Sequence, residues 1–130
     1  MNILIVDDDE DDRDLLTWAI HDIQPSINCI MARNGQEALK CLRSNKYPKP
    51  NLIFLDLNMP RLNGFLCLTE IKQDIFLQDV PVVIYTTSKL KEDEARARCL
   101  GADYFITKPP TVVELQRSIE KVFAKELIHL

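Results

Sequence analysis

Four apolar residues, Ile3 to Val6, lead directly into Asp7, Asp8, Asp9, Glu10, Asp11 and Asp12. A lone acid, Asp56, interrupts a second apolar run in "LIFLDLNMP". A third run, "VPVVIYTT", ends on Thr86 and Thr87, and a fourth, "YFITK", ends on Lys108. Taken singly, each has an ordinary structural use: Asp caps and turns, Thr forms strands, Lys is solvated. Delivered together to one edge, they do chemistry. Crowded carboxylates repel one another, which raises their pKa values unless a cation joins them. Mg²⁺ suits such a group, because it takes one or two carboxylates, keeps several waters and completes its shell with phosphate oxygens. Asp56, isolated among apolar neighbours, is then placed as a nucleophile able to form an aspartyl phosphate. Metal and Lys108 would neutralise charge on the transferred group, and a threonine hydroxyl would hydrogen-bond one of its oxygens.

That delivery requires particular elements. Five runs rich in Val, Ile and Phe read as strands: residues 2 to 6, 27 to 32, 51 to 57, 80 to 86 and 104 to 107. They are continuous rather than alternating, as expected of strands covered on both faces. Between and after them, helical spacing picks out Leu15, Leu16, Ala19, Ile20 and Ile23; Ala38, Leu39 and Leu42; Phe65, Leu68, Ile71 and Ile75; Ala95, Cys99 and Leu100; and Val112, Leu115, Ile119, Val122 and Phe123. Asn34 with Glu37 has capping-box spacing, Gly64 follows the turn-like "MPRLN", and Gly101 falls where a helix end takes positive φ. A (βα)₅ chain is too short for an eight-stranded barrel. The expected fold is a flavodoxin-like, doubly wound, five-stranded parallel sheet of order 2-1-3-4-5 with helices on both faces. Its ligand edge lies at the carboxyl ends of the strands, beside the switch point between strands one and three.

Composition narrows the alternatives. The chain has 130 residues, 46% of them apolar and 28% charged, the balance of one globular domain spanning residues 1 to 130. No apolar run approaches a membrane span and no signal peptide is evident, so a cytoplasmic location is expected. The net charge is −4, yet residues 7 to 14 hold seven acids and one arginine, leaving the rest slightly basic. A near-neutral remainder argues against a nucleic-acid-binding surface. The acids from Asp9 to Asp14 read as first-turn residues that favour the helix dipole. Cys29, Cys41, Cys67 and Cys99 are widely spaced and read as buried reduced thiols. Spacing excludes an EF-hand, because the twelfth position counted from Asp7 is Trp18, and the scattered glycines exclude a P-loop.

The segments "ILIVDDDE", "LIFLDLNMPRLNG", "PVVIYTTS" and "GADYFITKPP", in this order and at these separations, closely resemble the receiver domain of bacterial two-component response regulators. The resemblance covers essentially the whole chain and is closest to the stand-alone, chemotaxis-type receiver. It implies that Asp56 is the phosphoacceptor and that Asp7 and Asp8 are the acidic pair. Asp8 would bind Mg²⁺ directly, Asp7 mainly through water, and the backbone carbonyl of Asn58 would be a further ligand beside Asp56. It implies that Thr86 is the switch hydroxyl, that Lys108 pairs with the phosphate, and that the bond before Pro109 is cis. Phe105 takes the place of the switch aromatic, with Tyr104 beside it; Asn58 and Ser88 take places that tune phosphate lifetime, and Pro110 departs from the usual apolar residue.

The function so implied is a phosphorylation switch. A sensor histidine kinase or a histidine phosphotransfer protein would supply the phosphoryl group, and the face of helix four, strand five and helix five would then meet a downstream protein. The chain would catalyse its own phosphotransfer and dephosphorylation without being an enzyme on an external substrate. No nucleic acid, no membrane and no attached output domain is expected, and the protein would be a monomer or a phosphate-linked homodimer, with Leu127, Ile128 and Leu130 as candidate core or dimer residues. Two rivals stand beside it: a pseudo-receiver that binds partners without phosphate, and a metal-dependent phosphohydrolase. The second usually needs an acid two residues after its nucleophile, where this chain has Asn58.

Overall fold

The computed structural model describes residues 1–59 and 62–126. Strands β1 (Asn2–Val6), β2 (Asn28–Ala32), β3 (Leu52–Leu55), β4 (Val82–Thr86) and β5 (Tyr104–Thr107) alternate with helices α1 (Glu10–Ile23), α2 (Gly35–Leu42), α3 (Gly64–Gln73), α4 (Lys91–Cys99) and α5 (Val112–Lys125). All strand pairs are parallel and the order is β2-β1-β3-β4-β5, as the sequence predicts. Successive strand residues point to opposite faces, so a strand buried on both sides must be apolar throughout. Ile3, Ile5, Leu52, Phe54, Val83 and Tyr85 pack against Leu16, Ala19 and Ile20 of α1 and Leu115, Ile119, Val122 and Phe123 of α5. Leu4, Val6, Ile53, Leu55, Val82 and Ile84 pack on the other face, against residues of α2 and α3 and Ala97 of α4. Among the described residues no helix is long and apolar enough to cross a membrane.

Caps set where the helices begin. Asp9 accepts from the Asp11 and Asp12 N–H groups at 2.9 and 3.4 Å and starts α1; Asn63 and Thr111 do the same for α3 and α5. At α2 the Asn34 side chain accepts from the Glu37 N–H as predicted, but the Glu37 carboxylate returns to the Arg33 N–H at 3.4 Å, so the reciprocal capping box is displaced by one residue. Gly101 takes φ of 106° after α4.

Several sequence expectations need correction. Leu15, Ala95 and Cys99 are exposed, and in α4 the buried position is Ala97. Ile75 is 73% exposed, because α3 ends at Gln73 before the spacing reaches it. Of the four thiols, only Cys67 is fully buried. No peptide bond among the described residues is cis, the one before Pro109 included. Leu127, Ile128 and Leu130 lie outside the described residues.

Candidate functional site

Sheet register builds the site before any side chain does. Val6 pairs with Leu55 and with Ala32, so the residues that follow β1 and β3 emerge side by side. The Asp56 N–H donates to the Val6 carbonyl at 2.9 Å, the Asp7 N–H to Ala32 at 3.1 Å and the Lys108 N–H to Thr86 at 2.7 Å. These bonds continue the ladders just past the strands and fix the backbone of each polar residue. Gly64 closes α3 onto the same edge: a Cβ there would lie 2.2 Å from the Asp56 carbonyl oxygen and 2.5 Å from Leu57 Cα. Only glycine allows that approach.

Asp7, Asp8 and Asp56 each offer a carboxylate oxygen, and these atoms all lie within 4.8 Å of one another. Asp7 and Asp56 are buried while Asp8 is exposed, so the group has an inner wall and an open side. This donor set is all oxygen, bears three carboxylates and is reachable from solvent, which fits a hard divalent cation. Lys108 faces it from the end of β5, with Nζ 2.8 Å from Asp7 Oδ2 and 3.8 Å from Asp56 Oδ2. The ammonium also lies 5.3 Å from the centre of the Tyr85 ring.

Burial pushes the Asp56 carboxyl up to about 6, and the Asp7 charge adds to the rise against the pull of Lys108, the Asn58 N–H and the Thr86 hydroxyl. Asp7 is also raised, by burial first, in spite of its hydrogen bond from Lys108. Burial works against the charge on Lys108, but hydrogen bonds to Asp12 and Asp7 and the charge of Asp56 outweigh it and hold its pKa above the ordinary lysine value. The ammonium is therefore a fixed positive charge beside a carboxylate of raised proton affinity.

The remaining predicted residues divide into two groups. Thr86 is completely buried, where it lowers the proton affinity of Asp56, and its hydroxyl accepts from the Ser88 N–H at 3.3 Å. Asn58 exposes its side chain, and its N–H donates to Asp56 Oδ1 at 3.3 Å. Phe105 is elsewhere: half-buried on β5, it packs against the α2, α3 and α4 side of the core and lines a groove of about 270 Å³ with Arg98, Tyr104, Ile106, Lys121 and Val122. Ser88 turns from the carboxylates to donate to Asp93 Oδ2 at 2.6 Å, and its carbonyl accepts from the Thr107 hydroxyl at 3.0 Å, which ties the loop after β4 to β5.

Sequence reasoning missed two contributors. Asp12 Oδ2 sits 2.7 Å from Lys108 Nζ, and the buried Arg13 donates from Nη1 to the Asp7 carbonyl at 2.7 Å. The one available signal was Arg13 itself, a single base within the acidic run.

A parallel α/β sheet that gathers a carboxylate trio, a buried hydroxyl and a lysine at the switch-point edge defines a receiver-type signalling domain. The chain belongs to the response regulator receiver domain family, which it matches over residues 3–120, and is a component of two-component signalling. It is 32% identical over 124 residues to response regulator Rcp1 of Synechocystis sp., covering 92% of this chain and 84% of that protein. Its fold matches the phosphorylated cyanobacterial phytochrome response regulator RcpA with a TM-score of 0.87 at 30% identity, over 97% of this chain and 93% of that one. The Mn²⁺-bound form of Rcp1 matches with a TM-score of 0.83 at 31% identity, over 95% and 91% of the two chains.

Proposed function

We propose that the protein is a phosphorylation switch whose acceptor is Asp56. The observation that carries this reading is the convergence of three carboxylates within 4.8 Å with a lysine ammonium 3.8 Å from the buried Asp56. A divalent cation, Mg²⁺ in the cell, fits Asp7, Asp8, Asp56 and the Asn58 carbonyl, and the Mn²⁺-bound Rcp1 relative supports a metal at this edge. When bound, the ion offsets negative charge among the carboxylates and on an incoming phosphoryl group. The Asp56 carboxylate attacks phosphorus, the bond from phosphorus to the donor's imidazole nitrogen breaks, and an acyl phosphate forms. Lys108 supplies a fixed cation for the new oxygens and Thr86 a hydroxyl donor. The burial that raises the Asp56 pKa also excludes water from one side of the acyl phosphate. Asn58, exposed beside Asp56, and Ser88, on the loop after β4, set its hydrolysis, which the domain performs on itself.

The donor is a sensor histidine kinase or a histidine phosphotransfer protein. Movement of Thr86 towards the phosphoryl group pulls the loop after β4, which Thr107 links to β5, and Phe105 repacks. The α4, β5 and α5 face thereby changes its affinity for a downstream protein, in a cytoplasmic domain spanning the chain that is a monomer or dimerises with phosphate.

Intact mass after incubation with an acyl-phosphate donor tests the chemistry. Wild type with Mg²⁺ gains one phosphoryl group, while EDTA or Asp56→Asn prevents the gain. Equal labelling of Asp56→Asn would overturn the assignment.

A further inference from the structure

Lys108 has more acidic partners than phosphate pairing requires. Its side chain is 11% exposed, and its two shortest contacts are to Asp12 at 2.7 Å and Asp7 at 2.8 Å, whereas Asp56 stands off at 3.8 Å. An ammonium has three N–H donors. Two are committed, and neither of those bonds goes to the acceptor carboxylate. Asp7 belongs to the carboxylate trio, so a cation there competes with Lys108 for its charge. Asp12 lies outside that trio and comes from another element, the first turn of α1, 96 residues from the lysine in sequence.

The position of Asp12 follows from the cap. Asp9 accepts from the Asp12 N–H and begins the helix there, which turns the Asp12 side chain towards the end of β5. Asp11, its neighbour in the same turn, is exposed and makes no ion pair among the described contacts. Both acids favour the helix dipole equally, yet only Asp12 reaches the lysine.

We propose that Asp12 is a positioning residue for Lys108, an acid that restrains the ammonium away from Asp56 and so lowers the domain's affinity for a phosphoryl group. This rests on the phosphoacceptor reading of Asp56. The restraint sets a threshold: the phosphoryl oxygens must draw the lysine from a charge-assisted hydrogen bond that is already made. Without Asp12, Lys108 keeps its Asp7 contact and swings its remaining donors to the acceptor.

The test is the affinity for beryllofluoride, a phosphoryl mimic, with saturating Mg²⁺. It is measured by calorimetry on wild type, Asp12→Asn, Asp11→Asn, Lys108→Ala and the double variant of Asp12→Asn with Lys108→Ala. Asp12→Asn is expected to bind about three- to tenfold more tightly, and Asp11→Asn as wild type does. In the Lys108→Ala background, Asp12→Asn is expected to change nothing, because its effect runs through the lysine. A gain of the same size in that background, or from Asp11→Asn, would show a general field effect and overturn the proposal; so would no gain from Asp12→Asn. Asp12→Ser, checked with the others for wild-type thermal unfolding, repeats the measurement with a shorter side chain. If the Lys108→Ala pair binds too weakly to compare, the rate of Asp56 phosphorylation by acyl phosphate makes the same comparison. Failure of wild type to bind would remove the phosphoacceptor reading itself, whereas binding by wild type without the Asp12 gain removes only the restraint.

Discussion

The carboxyl edge of the sheet and the face formed by α4, β5 and α5 are built on opposite terms. At the edge, Asp7, Asp56 and Thr86 are 5% exposed or less, held by backbone bonds that extend the strand ladders. On the face, every residue of β5 is only half-buried, α4 buries Ala97 alone among its nine residues, and a groove runs beside Phe105. Charge is concentrated where the structure is tight, and packing is thinner along α4 and β5. Segments with few buried apolar contacts open at lower free energy than the core. The two regions meet where Ser88 and Thr107 join the loop after β4 to β5.

Truncation should separate the regions most strongly. Phe54 is 1% exposed beneath the edge, and Phe54→Ala is expected to cost about 3–5 kcal/mol in urea unfolding, while Phe105→Ala costs about half of that or less. Equal losses would mean that the face is packed as firmly as the edge. Gly64→Ala drives a Cβ against the Asp56 backbone and should cost about 3 kcal/mol, with phosphoryl acceptance impaired as well.

The electrostatic cost of the edge has a definite sign. The Asp56 carboxyl titrates near 6 in the native state and roughly 3.9 when unfolded. Between those values the native state binds more protons than the unfolded chain, so stability contributed at this site falls as pH rises through the window and stays low above it. Asp56→Asn should therefore stabilise the metal-free protein by about 1–3 kcal/mol at pH 7 and by little below pH 4. Chemical unfolding at both pH values measures the difference, and a stability change independent of pH would place its origin elsewhere. At the small end, Arg98→Ala on α4 removes an exposed pair with Glu94 at 3.1 Å and should alter stability by less than about 0.5 kcal/mol.

The legible parts of the molecule are those that local pattern dictates. Continuous apolar runs mark all five strands, although β2 and β5 at the sheet edges are only partly buried, and Asp7, Asp56, Thr86 and Lys108 stand where such runs stop. Asp7, Asp8, Asp56 and Lys108 could be gathered on paper because parallel strands share one carboxyl edge. The pairing of Asp12 with Lys108 could not, since it depends on how α1 is turned on the sheet beside α5 rather than on spacing. Helix α4 misled for a related reason. It has so few apolar residues that helical spacing selects Ala95, Cys99 and Leu100 as its inner stripe, while the small Ala97 is the residue buried against the sheet. Ile75 matched the helical period, but the backbone leaves the helix before reaching it. Long-range electrostatics and helix rotation are settled by tertiary packing, which a single sequence does not print.

In the proposed switch, a charge added at Asp56 is felt on the α4, β5 and α5 face. Hydrogen–deuterium exchange reads this out, with wild type and Asp56→Asn compared before and after acyl phosphate and Mg²⁺, and with phosphorylation confirmed by mass. Exchange is expected to change chiefly in residues 87–107 of wild type, with the core strands β1 and β3 unchanged and no response in Asp56→Asn. Phosphorylated wild type whose exchange over residues 87–107 matches the untreated protein would contradict it.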